Sequence, residues 1–259
     1  MIEYLKRRPR IINKYLIINA DDCGLSSGVN RGIIEAFDAG VVSSTTIMVN
    51  LPGFDDAIAR LKGHPRLGVG LHFNLTYGYP LSPVSKVPSL IDETGAFSGQ
   101  VEEWEEAEVQ IELTAQWRRL LHAGIKADQL DSHHHMQNYL AVYRPMVTLA
   151  RRERLMMRRL QTEPAIDIPH PPSADLFIND HYFEGDGLER IMRHLADIKE
   201  GISELMCHPG YADEVVCAVS TWTTEREREL SVLTNPEVLA AIKRHRIILS
   251  HYGELRQWI

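Results

Sequence analysis

The stretch YLIINADD, residues 15–22, is the most informative about the fold. Residues 15–18 are apolar and partly β-branched, which predicts a short buried strand. Residues 19–22 (NADD) then place amide and carboxylate groups where that strand ends. This order is typical of parallel sheets, in which ligands and catalytic groups collect at the carboxyl ends of the strands.

The same alternation of apolar run and amphipathic stretch continues along the chain. The predicted strands cover residues 15–18, 44–49, 67–71, 127–132, 155–161, 204–207 and 247–250. The predicted helices cover residues 29–39, 54–61, 105–122, 140–152, 188–199, 224–233 and 236–245. Residues 77–100 are rich in Gly and Pro and are predicted to form a long loop within one domain, of a length that is usually either functional or disordered. The pattern favours a parallel α/β sheet of about seven strands, either a closed or incomplete barrel or an open doubly wound sheet.

Composition limits the function classes. The 259 residues are 44% hydrophobic and 24% charged, as in an ordinary globular protein, and we expect one domain over residues 1–259. A net charge of −7 argues against nucleic acid or a membrane surface as a partner, because both attract clustered Lys and Arg. Three widely spaced cysteines fit no disulfide framework, and no signal peptide or membrane span is evident. A cytoplasmic location is therefore expected.

Polar side chains follow four of the predicted strands. These groups are residues 19–22 (NADD), 72–74 (HFN), 131–135 (DSHHH) and 208–211 (HPGY). Because the strands are predicted to be parallel, these groups should meet at one edge of the sheet. Their convergence is stronger evidence for a site than any one motif.

The adjacent carboxylates and His72 suit a metal site. Asp21 and Asp22 close a buried strand and point to opposite sides of it, so one could bind a metal while the other takes a proton. His72 follows Gly68 and Gly70, whose lack of side chains indicates close backbone approach in a crowded site.

The triple histidine is the sharpest local signal. By strand alternation Asp131, His133 and His135 share one face and His134 faces away. Asp131 could then orient a ligating imidazole. This spacing leaves open whether His133 or His135 is the ligand.

Two imidazoles and one carboxylate suit zinc, iron, cobalt or nickel and leave positions open, whereas magnesium asks for more oxygen ligands. Such a site lowers the pKa of coordinated water and polarises a carbonyl. His208, at another strand end and fixed by the following Pro-Gly pair, is the best candidate for the acid.

The sequence resembles the YdjC-like carbohydrate deacetylases, and among them the chitooligosaccharide deacetylases. The matching blocks are residues 18–26 (INADDCGLS) with Asn30 and Gly32, 43–50 (SSTTIMVN), 70–76 (GLHFNLT), 131–135 (DSHHH) and 205–211 (LMCHPGY). Cys23 and Gln137 depart from the family pattern, where Phe and His are usual. Residues 1–12 are expected to form an N-terminal extension ahead of the family's usual start.

The resemblance implies a distorted (β/α) barrel that hydrolyses an N-acetyl group from a short chitin oligosaccharide and releases acetate. It implies metal ligation by Asp22, His72 and His133 and a base at Asp21, and it implies that His208 lies near the reaction centre. The metal that it implies is magnesium, which differs from the zinc or other transition metal favoured by the ligand set. A homodimer is also expected.

Four further residues are candidates for binding substrate or supporting the ligands: Asp131, His135, Arg158 and Tyr211. Two other functions stay open at this point. One is a metal-dependent hydrolase of another acylated or phosphorylated small molecule, with Arg158 and Arg159 as cationic partners. The other is a sugar-binding regulator without activity, which the free Asp21 argues against.

Overall fold

The computed structural model describes residues 12–256. Its strands are β1 (Lys14–Cys23), β2 (Ser44–Ile47), β3 (Gly68–Phe73), β4 (Gln129–Ser132), β5 (Met156–Met157), β6 (Leu176–Ile178), β7 (Gly201–Cys207) and β8 (Ile247–Leu249). The helices are α1 (Ser27–Asp38), α2 (Phe54–Leu61), α3 (Glu106–His122), α4 (Leu140–Glu153), α5 (Gly187–Asp197), α6 (Glu214–Val219), α7 (Thr224–Leu233), α8 (Pro236–Arg244) and α9 (Tyr252–Leu255). The predicted extension, residues 1–12, lies almost wholly outside the described part.

All strand pairs in the sheet are parallel. The order is β5-β4-β3-β2-β1-β7-β6, and β8 pairs with the first residues of β1. Neighbours in the sheet are mostly neighbours in the chain, as in a (β/α) barrel, and the described strands β5 and β6 end the path without pairing. The sheet is a curled half-barrel with helices around it, which confirms the predicted distorted barrel and excludes the doubly wound alternative.

Strand β1 lies near the centre of the sheet and is therefore buried on both faces. Leu16, Ile17 and Ile18 are fully buried, so the apolar run of the sequence becomes the middle of the core. Ser26 then ends the loop after β1 by accepting a hydrogen bond from Val29 N, which caps α1. Asn19–Asp22 therefore lie at the junction of strand and helix.

Two close backbone approaches bring the later elements against the site. A Cβ on Gly70 would lie 2.2 Å from Gln129 Cγ, so β3 can approach β4 only with glycine there. A Cβ on Gly32 would lie 2.6 Å from Gly210 Cα, so α1 packs directly on the loop that follows β7. The close approach that the glycines of β3 predict is confirmed.

Several element predictions were wrong in extent. The predicted strand at residues 155–161 is only the two-residue β5, and β6, α6 and α9 were not predicted. Residues 77–100 do form a long connection, with short 3₁₀ turns at Val84–Lys86 and Pro88–Leu90. This loop is anchored to the core because Val87 and Leu90 are fully buried. Across residues 12–256, no helix combines the length and the apolar character needed to cross a membrane.

Candidate active site

The polar groups that follow β1, β3, β4 and β7 open on one cavity of about 420 Å³. Its lining contains the acidic pair and six histidines, together with side chains from residues 220–226: Asp21, Asp22, His72, His133, His134, His135, His181, His208, Trp222 and Arg226 among others. The convergence predicted from the strand ends is therefore present. Of the nine predicted site residues, Asp131, Arg158 and Tyr211 do not line this cavity.

Asp21 is held by a guanidinium. Arg158 Nη1 and Nη2 each donate to one Asp21 oxygen at 2.7 Å, and Asn19 Nδ2 donates to Oδ1 at 2.7 Å. Burial would raise the pKa of Asp21, but the charge and hydrogen bonds of Arg158 hold it well below its ordinary value. Asp21 is therefore an ionised, firmly oriented acceptor at the edge of the cavity.

Arg158 lies beneath the cavity as the centre of a buried ion network. It is 1% exposed and also contacts Asp131 Oδ2 at 3.0 Å and Glu204 Oε1 at 2.7 Å. The Tyr252 hydroxyl donates to the other oxygen of Glu204. Because carboxylates surround its guanidinium, Arg158 orients these groups and has no donor aimed into the cavity.

Asp22 has one oxygen bound and one free. The backbone there is left-handed, with φ of 65°, at an irregularity in the pairing of β1 with β2. Arg226 Nη2 donates to Oδ2 at 2.7 Å, whereas the buried Oδ1 has no hydrogen-bond partner. The nearest basic atoms to Oδ1 are His72 Nε2 at 3.2 Å and His133 Nε2 at 3.8 Å.

His72 is oriented by Asp131, which bonds the ring nitrogen that does not face Asp22. Its Nδ1 lies 2.7 Å from Asp131 Oδ1, and Thr46 Oγ1 donates to the other Asp131 oxygen at 2.9 Å. Burial alone would lower the pKa of His72, but Asp131 and Asp22 raise it to about 10. The carboxylates that stabilise a protonated His72 would equally attract a metal cation. Asp131 has the orienting position predicted for it.

His133 faces the same point from the other side. Its Nδ1 forms a 2.5 Å hydrogen bond with Thr76 Oγ1, which leaves Nε2 directed to Asp22. Burial holds the pKa of His133 well below its ordinary value, so the ring is a neutral imidazole. A neutral imidazole with one nitrogen hydrogen-bonded is the usual state of a metal ligand.

The alternation predicted for the triple histidine is wrong. The strand ends at Ser132, and His134 and His135 both have a φ of 54°, in the left-handed region. His134 therefore turns into the cavity, where its ring lies 3.7 Å from that of His133. His135 packs edge-on against Phe177, with its buried Nδ1 unpartnered.

His208 reaches the cavity from the end of β7. Its backbone N donates to Glu229, and its Nδ1 lies 3.8 Å from Glu229 Oε2. Burial lowers the pKa of His208 to about 4, against the opposing charges of Asp22 and Asp21. Burial also raises the pKa of Glu229 to about 7. His208 is therefore a neutral imidazole near an acidic side chain that could orient it.

Among the described residues around the cavity, two sets of side chains could hold a cation. Ligand atoms of Asp21, His72 and Asp131 lie within 4.8 Å of one another. These carboxylates, however, are already paired with Arg158, and Asp131 bonds His72 Nδ1. The second set is Asp22 Oδ1 with the Nε2 atoms of His72 and His133, and its carboxylate oxygen has no other partner. The second set therefore fits a metal better, because a bound ion would give the buried Asp22 Oδ1 a partner without breaking existing bonds.

Tyr211 lies on the outer side of α1, away from the cavity. Its hydroxyl donates to Glu35 Oε2 at 2.6 Å, and Arg31 stacks over its ring at 4.0 Å. Its position therefore gives no support to a contact with substrate.

The sequence interpretation missed Arg226, Glu229 and His181. The first two lie on α7, in a stretch (TERERELSVL) so highly charged that it resembles a solvated surface. Their spacing of three residues, on one face of a helix, was the available signal. Both are buried.

The fold and the site together define a class: a curled parallel α/β barrel with an acidic and histidine-rich cavity at its strand ends. The sequence profile of YdjC-like proteins matches residues 15–244. The chain therefore belongs to the YdjC-like family, as the resemblance predicted.

Curated relatives are similar in sequence to this chain along nearly its whole length. A carbohydrate deacetylase of Geobacillus stearothermophilus is 39% identical over 246 residues, which cover 93% of this chain and 98% of that protein. A carbohydrate deacetylase of Brevibacillus brevis is also 39% identical, covering 93% and 99%.

Solved structures give the same fold. An Enterococcus faecalis protein, described as a candidate cellobiose-phosphate cleavage protein, superposes with a TM-score of 0.83 at 33% identity, covering 94% of this chain and 99% of that one. A family 4 carbohydrate esterase from Streptomyces lividans, solved with acetate, has a TM-score of 0.54 at 10% identity, covering 93% of each chain. At that identity the second likeness concerns the fold alone.

Proposed function

We propose that the protein is a metal-dependent hydrolase that removes the acetyl group from an N-acetylglucosamine unit of a short chitooligosaccharide and releases acetate. The observation that carries the proposal is the unpartnered Asp22 Oδ1, buried opposite two imidazole Nε2 atoms in a cavity that also contains Asp21 and His208. The curated relatives named carbohydrate deacetylases support the reaction class.

Asp22, His72 and His133 would hold a single divalent ion. The two imidazoles and one carboxylate favour zinc or another transition metal, whereas the family resemblance implies magnesium. When bound, the ion would polarise the acetyl carbonyl and lower the pKa of water. Asp131 and Thr76 would support it by fixing the orientation of the two rings.

Asp21 and His208 would move the protons. Asp21 accepts a proton from the attacking water as the new carbon–oxygen bond forms. The carbon–nitrogen bond then breaks, and the leaving amine takes a proton from His208. Because the pKa of His208 lies at about 4, its imidazole is neutral at pH 7. The proton that it gives to the amine would therefore be the one that Asp21 took from water and passed on, which returns Asp21 to its ionised form.

Arg158 would keep Asp21 ionised and aligned. The bidentate pairing fixes both carboxylate oxygens. Its low pKa makes Asp21 a weak base, so the proton transfer depends on the water being acidified at the same time. The role of Asp21 in this proposal is thus tied to the metal.

Aromatic side chains would bind the sugar. The rings of Trp222, His181 and Phe183 contact one another on the His208 side of the cavity, with Trp222 at 4.6 Å from His181 and 5.1 Å from Phe183. Tyr77 lies on the opposite side, 4.9 Å from the His133 ring. A cavity of about 420 Å³ between such walls suits a small ligand such as one sugar unit with its acetamido group.

The site gives less support to a phosphoesterase. That chemistry needs cationic partners aimed at the phosphate or a second metal. Of the two cations suggested for it, Arg158 is buried among Asp21, Asp131 and Glu204, and Arg159 is exposed and does not line the cavity. A regulator without activity is also disfavoured, because the site contains Asp21 and His208 beyond the residues needed to hold an ion. The free thiols Cys23, Cys207 and Cys217 are consistent with the proposed cytoplasmic location, and a homodimer stays a prediction.

Substitution of the base tests the mechanism. We expect Asp21→Asn to lower the rate of acetate release from diacetylchitobiose by about 10²–10⁴-fold, because the proton acceptor is lost while its shape is kept. The bound metal should remain, since Asp21 is not among its ligands. The control is Asp38→Asn at the far end of α1, where the side chain is 62% exposed. Undiminished turnover by a folded, metal-loaded Asp21→Asn protein would rule out this role.

A further inference from the structure

Arg226 is a buried cation that the mechanism has not yet used. It lies on α7 and is 3% exposed, next to the cavity. Its Nη2 donates to Asp22 Oδ2 at 2.7 Å and its Nε donates to the Trp222 carbonyl at 3.2 Å. A buried guanidinium this close to a metal-binding site needs an explanation, because its charge opposes that of the ion.

The acidic pair offers that explanation. Arg158 engages both oxygens of Asp21, whereas Arg226 engages only one oxygen of Asp22. The second oxygen of Asp22 is left buried, unpartnered and directed at the Nε2 atoms of two histidines. The two arginines thus give the adjacent carboxylates different numbers of available oxygens.

The helix that carries Arg226 is fixed against the rest of the site. Gly210 N donates to the Arg226 carbonyl at 3.3 Å. Glu229, one turn further along, accepts hydrogen bonds from the backbone of His208 and of Tyr182. Helix α7 is therefore fixed independently of Asp22, whereas the guanidinium itself is held by the Trp222 carbonyl and by Asp22 Oδ2, with its buried Nη1 unpartnered.

We propose that Arg226 is a positioning residue that makes Asp22 a one-oxygen metal ligand, by occupying Oδ2 and orienting Oδ1. This inference rests on the proposed metal site. It predicts that the hydrogen bond to Oδ2 matters for metal binding, while the positive charge of Arg226 opposes it. Without the hydrogen bond, Asp22 would rotate or offer both oxygens, and the coordination would change.

Three variants separate the hydrogen bond from the charge. Arg226→Gln keeps an N–H donor for Oδ2 without the charge, Arg226→Lys keeps a charged donor, and Arg226→Met keeps neither. The matched control is Arg228→Met, an exposed position of the same helix. The metal-free full chain would be titrated with Co²⁺, with the dissociation constant and the visible absorption spectrum as readouts and circular dichroism as the check on folding.

We expect Arg226→Met to weaken Co²⁺ binding by about 10–100-fold and to change the spectrum, as for the loss of other groups that orient a ligand. Arg226→Gln should bind at least as tightly as the unsubstituted chain with the same spectrum, and Arg226→Lys should fall between Gln and Met. A folded Arg226→Met protein that binds as tightly as Arg226→Gln with an unchanged spectrum would overturn the inference. If Arg226→Met does not fold, Arg226→Gln decides alone, and weakened binding or an altered spectrum overturns it.

The unsubstituted chain separates this inference from the proposed function. If it binds Co²⁺ in one equivalent but no metal-loaded form releases acetate, the deacetylase proposal fails and the role of Arg226 is still decided by the variants. If it binds no Co²⁺, both the metal site and the role of Arg226 are wrong.

Discussion

Trp222 is the side chain best placed to contact a sugar. Its ring lies edge-on to His208 at 5.1 Å and edge-on to His181 at 4.6 Å, so it joins the proposed acid to the wall of the cavity. Because Trp222 is only partly buried, part of its ring is open to the cavity. Aromatic rings bind the apolar faces of ligands and add about 0.5–1.5 kcal/mol beyond the area that they bury.

We therefore expect Trp222→Ala to raise KM for diacetylchitobiose by several-fold up to about tenfold, as about 1.4 kcal/mol of lost contact would do. The value of kcat should change little, and Trp222→Phe should recover part of the loss. Steady-state kinetics of the metal-loaded enzymes measure both constants. A fall in kcat with unchanged KM would instead show that Trp222 acts by positioning His208.

For single residues, the sequence was most informative where a side chain follows a strand directly. Asp21, Asp22, His72 and His208 were placed correctly in one cavity because parallel strands end at one edge. The orientation predicted for His134 was wrong, because a two-residue period cannot reveal a left-handed backbone. Arg158 was named as a candidate, but the pairing of either arginine with its aspartate could not be predicted, because Arg158 and Arg226 bond residues 137 and 204 positions away.

Helix α9 shows how a short element is attached to the sheet. His251 caps this helix, and its Nδ1 lies 2.8 Å from Asp128 Oδ2, just before β4. Burial alone would lower the pKa of His251, but the hydrogen bond and charge of Asp128 raise it above 6.5. A histidine with a raised folded-state pKa stabilises the protein fully below its unfolded pKa of about 6.5 and loses this effect as the pH rises through the folded value.

His251→Gln should therefore lower the free energy of unfolding by about 0.5–1 kcal/mol at about pH 6, and this difference should shrink toward about pH 9. Urea unfolding of both proteins at each pH measures the difference. His122→Gln, at an exposed histidine of α3, is the control. A difference that grows with pH would mean that His251 is held in its neutral form.

Helices and strands long enough to show a full hydrophobic period were predicted well, and shorter ones were not. The three residues of β6 follow a Pro-rich stretch, residues 164–172, and are too few to show alternation. Strand β5 has only two paired residues, and Arg158, which follows them, donates its backbone N–H to Leu130 O at 3.1 Å while its side chain binds the carboxylates below the cavity. Pairing with a neighbour, which depends on the whole sheet, creates both strands.

The whole molecule is a half-barrel whose curvature brings four strand ends to one cavity. The strands β1, β3, β4 and β7 each contribute part of the site, and α7 is fixed over it by Glu229. The sequence predicted the barrel because the alternation of strand and helix is long and regular. It could not predict the contribution of α7, because the buried charged residues of this helix find partners only when the loop after β7 packs against it.

The most direct test of the account is removal and return of the metal. Metal-stripped protein should release no acetate from diacetylchitobiose, and one equivalent of a divalent ion should restore release. The same addition should raise the melting temperature, because an ion that binds only the folded state stabilises it. Acetate release would be followed against Zn²⁺, Co²⁺ and Mg²⁺ in turn, with metal content measured in each sample. Undiminished acetate release by protein shown to be free of metal, or none from any metal-loaded form, would contradict the account.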